Sequence, residues 1–591
     1  MSRFAIIAVL LLAFTLRVVG LNSVPPGWRD DEVIETTVHA QRLLNGERPL
    51  YFIQAEGHEP IYHYLSAGWI ALVGHSLFSV RLVSAFFGLL TVAAAHRLVR
   101  RLFGGRAALF VALLLAVSFW ALMYSRVKIR HIAEAPLTLL AFDFLFVALN
   151  ARMEYRKSLI ASLVAGVFVA LALYTYLAAL TLIIILFTFG LYLLLLRDAR
   201  WQNVAAALGV AIILYLPLAV SVANNVQRVS VVGGPITALR GGDVQPLWQS
   251  TIGTLAMFGN RGDSEALYNI PERAVFGLVG FYFFLSGLII SLWRWRDPRH
   301  TFLLIWLVGG LAATFASIPP ASLGHSLTAL PVTYILAALP IFAIRNTRYA
   351  IRLALSAFLF LGVAVRDLPD YFWRWPALPE VRYLYKADLH TTAQSLRGAP
   401  PATYVLSGPL SIWDRRAFLL EDLPLASPPR WVSAEWAIVF PPRPATYLFP
   451  LAEWQNDSPP QNPSVVEFAN GLSLEGWDGD GQEIVAHWRV GEAYEVEEPV
   501  MGSSVASPPF PAFTFLHLIG PDGTSVAGSD RFDADAFSLQ PGDRFLQRHP
   551  FEAPPGTYRL EIGLYNPVTG ERILALDGRD SISLGEMAIG P

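Results

Sequence analysis

What most limits the structures open to this chain is a succession of apolar runs, each close to twenty residues long, between residue 4 and about residue 368. "LIASLVAGVFVALALYTYL" and "AALTLIIILFTFGLYLLLL" are two of them, and each approaches the roughly 20 residues that a helix needs to cross a bilayer's hydrocarbon core. Hydrocarbon offers a backbone no solvent to bond with, so such runs become helices that satisfy their own N–H and C=O groups. A soluble core has no room for so many. The fold class is therefore a polytopic α-helical membrane protein with a soluble tail from about residue 369. The opening "MSRFAIIAVLLLAF" sets Arg3 before an apolar stretch, as a signal peptide does, but no small-x-small cleavage site follows. It reads as an uncleaved first span.

Short basic linkers mark the cytoplasmic side of such a protein. Five occur: Arg97/Arg100/Arg101/Arg106, Arg152/Arg156/Lys157, Arg197/Arg200, Arg294/Arg296/Arg299 and Arg345/Arg348/Arg352. With all five inside, about eleven spans fall near 4-20, 80-96, 107-123, 136-150, 159-175, 177-196, 204-222, 274-292, 301-317, 327-343 and 353-367. The N-terminus is then inside and the tail outside. This requires "IYHYLSAGWIALVGHSLF", residues 61 to 78, to lie at the interface rather than cross; it carries His63 and His75 and is interrupted by Gly68 and Gly74. The outer face collects residues 21 to 79, 124 to 136, 223 to 273 and 317 to 325.

Those four segments hold the unusual polar residues. Ionisable groups at membrane depth are expensive, and those that persist are candidates for function. In "GWRDDEVIETTVH", residues 27 to 39, the carboxylates Asp30, Asp31, Glu32 and Glu35 open an amphipathic helix that runs to Gly46. They read equally as a cap and as complements to the helix's positive end, with Asp30 as the cap and Glu35 on the polar face. "QAEGHEPIYHY" adds Glu56, His58, Glu59 and His63. Acidic and imidazole groups this close are of the type that ligates a divalent metal ion, His58 and Glu59 foremost, although no metal-specific spacing is present; solvated loop charge is the plainer reading. "YSRVKIRHIAEAP" adds Tyr124, Arg126, Lys128, Arg130, His131 and Glu134. Arg and Lys on the outer side break the inside rule, and binding a phosphate, or anchoring to lipid headgroups, supplies the cause.

A net charge of -2 without a Lys/Arg-rich tract argues against a nucleic-acid partner. With no cysteine, disulfides, thiol catalysis and Cys-ligated metal are excluded.

In these residues the chain resembles the GT-C glycosyltransferases, specifically the protein O-mannosyltransferase and aminoarabinose-transferase group, glycosyltransferase family 39 in the broad sense. That family has an Asp-Glu pair in its first extracytoplasmic loop, then an interfacial helix and a "KPPLYYWL"-like segment; Asp31-Glu32 and "HEPIYHYL" occupy those places. "RLVSAFFGLL", "RRLFGGRAAL" and "YSRVKIRHIAEAPL" follow in the family's order, and "GHSLTALPVTYILAALP" looks like its "HPRYLLPALP" stretch. The resemblance covers roughly residues 10 to 345. It implies transfer of a sugar from a polyprenyl-phosphate-linked donor to a protein, lipid or glycan acceptor, with inversion, at the extracytoplasmic face of a bacterial cell membrane. By position it implies Asp31 as general base, with Glu32 beside it as its catalytic neighbour. Arg126, Arg130 and His325 would hold the donor phosphate, Glu134 would be the second carboxylate, and Tyr124 and Asp30 would be substrate contacts. An inverting displacement needs one base on the acceptor side and cations on the departing phosphate, which matches such a set.

The chain departs from the family at Glu59, where a Lys is usual, and at Ser326-Leu327-Thr328 in place of Pro-Arg-Tyr. A transporter or flippase of lipid-linked sugars, and a catalytically inactive carbohydrate-binding membrane protein, are the rival readings. In the tail, residues 369 to 464 read as an aromatic connector with a small mixed segment. From 465 the pattern of alternating strands and turns in "EIVAHWRV", "AFTFLHLIGPDGTSVAG" and "GTYRLEIGLYNPVTGERIL" reads as a β-sandwich. Trp477, Trp488 and Tyr565 are its candidate sugar-stacking aromatics, core packing being the plainer role.

Overall fold

Apolar runs become helices, and six in the computed structural model are long and apolar enough to cross a membrane: Leu77–Phe103, Arg130–Ala148, Tyr155–Leu173, Leu177–Leu195, Trp201–Asn224 and Tyr349–Ala377. Gly105–Val117 and Phe119–Arg126 make a seventh if this pair, bent by 61°, is one span. Their break falls at Ser118, whose Oγ accepts the Ala121 N–H at 3.4 Å and so starts a new helix. The structure describes residues 3–54, 57–150, 152–225, 234–343, 349–408, 411–451, 454, 458–479, 482–496, 512–567 and 569–590. Arg345, Arg348 and Glu56 lie outside the described residues. The chain divides into two units, Met1–Thr391 and Thr392–Pro591.

A helix stands at each of the eleven expected positions, but not every one is a full span. Phe4–Val18, Leu278–Trp293 and Leu327–Phe342 are shorter apolar helices, and Pro298–Gly310 has only 13 residues. The segment 61–78 is a 14-residue helix, Pro60–Val73, closed by Gly74 at φ 90°. At about 1.5 Å per residue it reaches about 21 Å, short of the roughly 30 Å hydrocarbon core, and Leu65 and Leu72 are exposed on it.

Small residues let these helices approach closely, as membrane bundles require. A Cβ on Gly88 would meet Ser125 on the bent helix, and one on Gly287 would meet the Leu336 backbone. Buried charge is matched inside the bundle: Asp143 accepts from Arg97 Nε at 2.5 Å and Arg101 Nε at 2.8 Å. Two cations of the first basic linker thus also serve as counter-ions to Asp143.

The second unit is sheet-rich. Arg430–Val432, Thr403–Ser407 and Ala445–Tyr447 form a parallel three-stranded sheet. An antiparallel five-stranded sheet runs Ala437–Phe440, Arg544–Pro550, Glu483–Val490, Leu472–Gly479, Asn462–Glu467. A second joins Arg572–Ile573, Gly556–Tyr565, Phe513–Ile519 and Ser525–Arg531, with Ile582–Ile589 also paired to Gly556–Tyr565. Alternate residues of both, among them Leu474, Trp488, Phe545, Leu516 and Leu560, share one hydrophobic cluster. Two expectations change. The edge strand Ala437–Phe440 comes from the stretch read as connector, so the sheet draws on chain upstream of residue 465. Trp488 is 0% exposed and belongs to the core, which removes it as a sugar-stacking surface.

Candidate functional site

"SVPPGWRDDE" ends the first helix and begins the next. Arg29, extended at φ -98° and ψ 156°, is the residue before the helix, and its N–H donates to Glu32 Oε2 at 3.2 Å. Asp30 is therefore the first helical residue and not the cap; its carboxylate pairs with Lys386 Nζ at 2.6 Å. Asp30–Ile34 runs into a π-helical turn, Glu35–Ala40, before Gln41–Leu44. Such wide turns recur at functional sites, and this one carries the buried side chains of Glu35 and His39.

The adjacent carboxylates Asp31 and Glu32 meet opposite surroundings. Glu32 is fully buried and receives Arg81 Nε and Nη2, both at 2.8 Å, and the Lys128 N–H at 2.9 Å. The Arg81 Nη1 donates to the carbonyls of Leu21 and Pro25 at 3.0 and 2.9 Å. Glu32 thus ties together three segments and has no free face. Asp31 is 33% exposed; it pairs with Arg29, which also donates to the Tyr268 hydroxyl at 2.6 Å and lies 4.6 Å from that ring's centre. Tyr268 belongs to the 223–273 segment that the sequence places on the outer face, although the residue itself was not singled out.

The three cations of the 124–136 segment also part ways. Arg126 is buried, and its guanidinium donates to the carbonyls of Leu16, Gly20 and Val24 at 2.8, 3.1 and 2.8 Å. Leu16 lies in the last turn of the first helix, where carbonyls lack an intrahelical partner, and Gly20 and Val24 follow in the turn beyond it. Expected as a phosphate ligand, Arg126 here fastens the end of the first helix and the turn after it through Nη1 and Nη2, while its Nε has no hydrogen-bond partner among the described residues. Lys128, buried, faces Glu35 Oε2 at 3.4 Å. Burial pushes the Glu35 carboxyl up to about 7 against the pull of Lys128 and Arg130, with Asp31 adding to the rise. Burial likewise lowers Lys128, which Glu35 and, more weakly, Asp31 oppose. Asp31, Glu35, Lys128 and Arg130 therefore share one electrostatic neighbourhood. Glu35, read as a polar-face residue, is inside it.

Arg130 lies 2.8 Å from His58 Nε2, 3.5 Å from Glu59 Oε2 and 5.4 Å from the centre of the Tyr176 ring. Around it stand most of the remaining expected residues. His131 packs on Tyr176 with centroids 3.8 Å apart, and Tyr176 stacks on His325 at 6.4 Å. The His325 Nδ1 is 2.6 Å from Ser317 Oγ. Tyr124 stacks on Tyr268 at 5.5 Å, and its hydroxyl has no hydrogen-bond partner among the described residues. Buried Glu134 accepts the Thr328 hydroxyl with one oxygen. Thr328 stands where the family's Tyr was expected, and this contact joins that element to Glu134.

The metal-type residues regroup. His58 is not joined by Glu59, which faces Arg130, but by His39 and His63; one ring nitrogen from each of the three lies within 4.8 Å of the other two. All three rings are buried, and burial holds His39 and His58 well below the usual histidine range. No sequence spacing announces this group, because His39 sits on the π-helical turn and the others lie across a loop from it.

Residues 57–222 match the family described as dolichyl-phosphate-mannose-protein mannosyltransferase, so the resemblance read from the sequence holds over that stretch; Asp31 lies before it. Among curated proteins none matches the chain. Solved structures with some likeness include the oligosaccharyltransferase AglB from Archaeoglobus fulgidus in complex with an inhibitory peptide and a dolichol-phosphate. It is 16% identical with TM-score 0.45, over 72% of this chain and 64% of that one. ArnT from Cupriavidus metallidurans bound to undecaprenyl phosphate is 14% identical with TM-score 0.47, over 73% and 86%. The S. cerevisiae protein O-mannosyltransferase Pmt1-Pmt2 complex bound to the sugar donor is 19% identical with TM-score 0.32, over 38% and 34%. The chain spans less than two thirds of the archaeal protein's length.

Proposed function

We propose that this multi-pass membrane protein is a glycosyltransferase that moves a sugar from a polyprenyl-phosphate-linked donor to an acceptor hydroxyl, with inversion, at the extracytoplasmic face of a bacterial cell membrane. The observation that carries this reading is the contrast within the helix start: Glu32 is sealed against Arg81, while its neighbour Asp31 keeps a third of its side chain open beside Arg29, and Asp30, also partly exposed, is held by Lys386. Asp31 is the general base on the acceptor hydroxyl, oriented by Arg29. Arg130 is the donor-phosphate ligand with Lys128 behind it, and their charge stabilises the departing phosphate. A phosphate leaving group needs no strong general acid, so the wide spacing of paired glycosidase carboxylates is not required. His325, Tyr124 and Glu134 line the donor side. The match of residues 57–222 to a family of mannosyltransferases that use a lipid-phosphate sugar supports the class of donor. The sheet-rich unit lies outside the membrane, and the acceptor is a protein, lipid or glycan.

The test is transfer from labelled polyprenyl-phosphate sugars to candidate acceptors by purified protein. Asp31→Asn removes the base and is expected to reduce transfer by about 100-fold or more, the usual scale of general base catalysis, in a protein that remains folded. Full activity in that variant overturns the assignment.

A further inference from the structure

His39, His58 and His63 come from three different pieces of chain: the π-helical turn, the loop before Pro60–Val73, and that helix itself. All are at most 3% exposed. His39 makes no hydrogen bond at either ring nitrogen and His63 none at Nδ1 among the described residues. Burying a polar nitrogen without a partner costs free energy, and three such nitrogens in one cluster need a reason. Part of the group is explained without a ligand: His58 Nδ1 and His63 Nε2 lie 3.1 Å apart, an N–H···N bond. That bond leaves His39 unexplained. The same 3.1 Å is close to the separation of about 3.3 Å between two imidazole nitrogens on one tetrahedral zinc, given Zn–N bonds of about 2.0–2.1 Å. The three rings also converge, with centroids 4.5 to 5.1 Å apart.

We propose that His39, His58 and His63 bind one divalent transition-metal ion of the zinc type, and that loading this site detaches Arg130 from His58. Imidazoles suit zinc, copper, iron and nickel, whereas magnesium and calcium select oxygen. The second half follows from tautomer chemistry. Arg130 Nη1 lies 2.8 Å from His58 Nε2 and a guanidinium can only donate, so Nε2 is the acceptor and the proton sits on Nδ1, toward His63. A His58 that ligates through Nδ1 carries its proton on Nε2 instead. Two N–H groups would then face each other, and Arg130 must swing away. The proton moves from one nitrogen of His58 to the other and none is released. Arg130 keeps Glu59 and the Tyr176 ring as its remaining partners. Resting on the reading of Arg130 as phosphate ligand, metal loading makes this cation available to the donor lipid.

Tag-free full-length protein, stripped with a chelator in detergent, is titrated with Zn²⁺ and with Co²⁺. Bound metal is counted by mass spectrometry after desalting, and tetrahedral cobalt is read by its visible absorption. One ion per chain is expected, with affinity lowered about 10-fold to 100-fold or more in His39→Ala and His63→Gln and unchanged in Glu59→Gln. His39→Phe, which keeps the packing against Phe52, serves if the alanine variant does not fold. A wild-type protein that holds no metal, or folded variants that hold it as tightly, overturns the site. Binding of a short-chain polyprenyl monophosphate is then measured with and without zinc. About tenfold tighter binding with zinc, lost in Arg130→Ala, is expected; equal binding overturns the coupling. If the lipid phosphate binds in neither state, the donor reading falls and with it the coupling to it, while the metal count still decides the site.

Discussion

At the scale of single residues, neighbours in sequence hold unrelated positions. Asp31 and Glu32 are chemically alike and adjacent, yet one is a third exposed and the other sealed against Arg81. Breaking a buried ion pair from one side strands the partner's charge, at about 3–5 kcal/mol. Glu32→Gln is therefore expected to lower the thermal midpoint in detergent by several degrees, whereas Asp31→Asn, at a carboxylate a third exposed to solvent, lowers it less and removes transfer. Equal midpoints for the two variants would show that Glu32 does not carry the fold. Arg126 and Arg130 make a second such pair: four residues apart and of one type, they were expected to share a phosphate. One bonds the carbonyls of Leu16, Gly20 and Val24 at and after the end of the first helix, and the other stands among imidazoles and aromatics. A residue's type and order in the chain name the chemistry available to it. They do not tell which partner will already have used it.

Among elements, the decisive contacts are those that let helices touch. Helix Leu77–Phe103 carries Arg81 at one end and Gly88 two turns later, and the absent side chain at Gly88 is what allows Ser125 of the bent helix to approach. Overpacking such a contact costs about 1–3 kcal/mol. Gly88→Ala is expected to lower the midpoint accordingly and to weaken transfer, since the 127–130 segment follows directly on the helix it displaces. An unchanged midpoint would mean that the two helices are not held this closely. The bend at Ser118 belongs to the same scale. An apolar run of twenty residues announces a helix, but a hydroxyl within it, in position to accept the N–H three residues on, divides the run into two.

At the scale of the whole molecule, the sheet-rich unit carries its own response to acid. In the sheet-rich unit His549 is buried with Nδ1 3.0 Å from the Ser529 carbonyl oxygen, and burial lowers it to about 4. A ring that stays neutral when folded but protonates near 6.5 when unfolded makes the unfolded state bind more protons between those values. Stability of this unit is therefore complete above about pH 6.5 and falls toward pH 4, by about 3 kcal/mol at most from this group. In His549→Gln the part of the unfolding profile between pH 4 and 6.5 that this ring causes should disappear; a profile as steep as wild type would assign it elsewhere.

The polytopic membrane character of the first part of the chain, the helix positions, the sheet-rich tail and the segments that hold the polar residues were all legible in the sequence. These rest on local periodicity and on the solvation of the backbone, which each stretch of chain carries in itself. The tertiary structure alone decided that Arg126 is spent on a helix end, that Glu35 and Lys128 form a buried pair, that Tyr268 joins Arg29, that Ala437–Phe440 completes a sheet, and that His39 meets His58 and His63. Each of these depends on which atoms from distant parts of the chain compete for the same donor or the same buried space, and that competition is settled only when the segments pack.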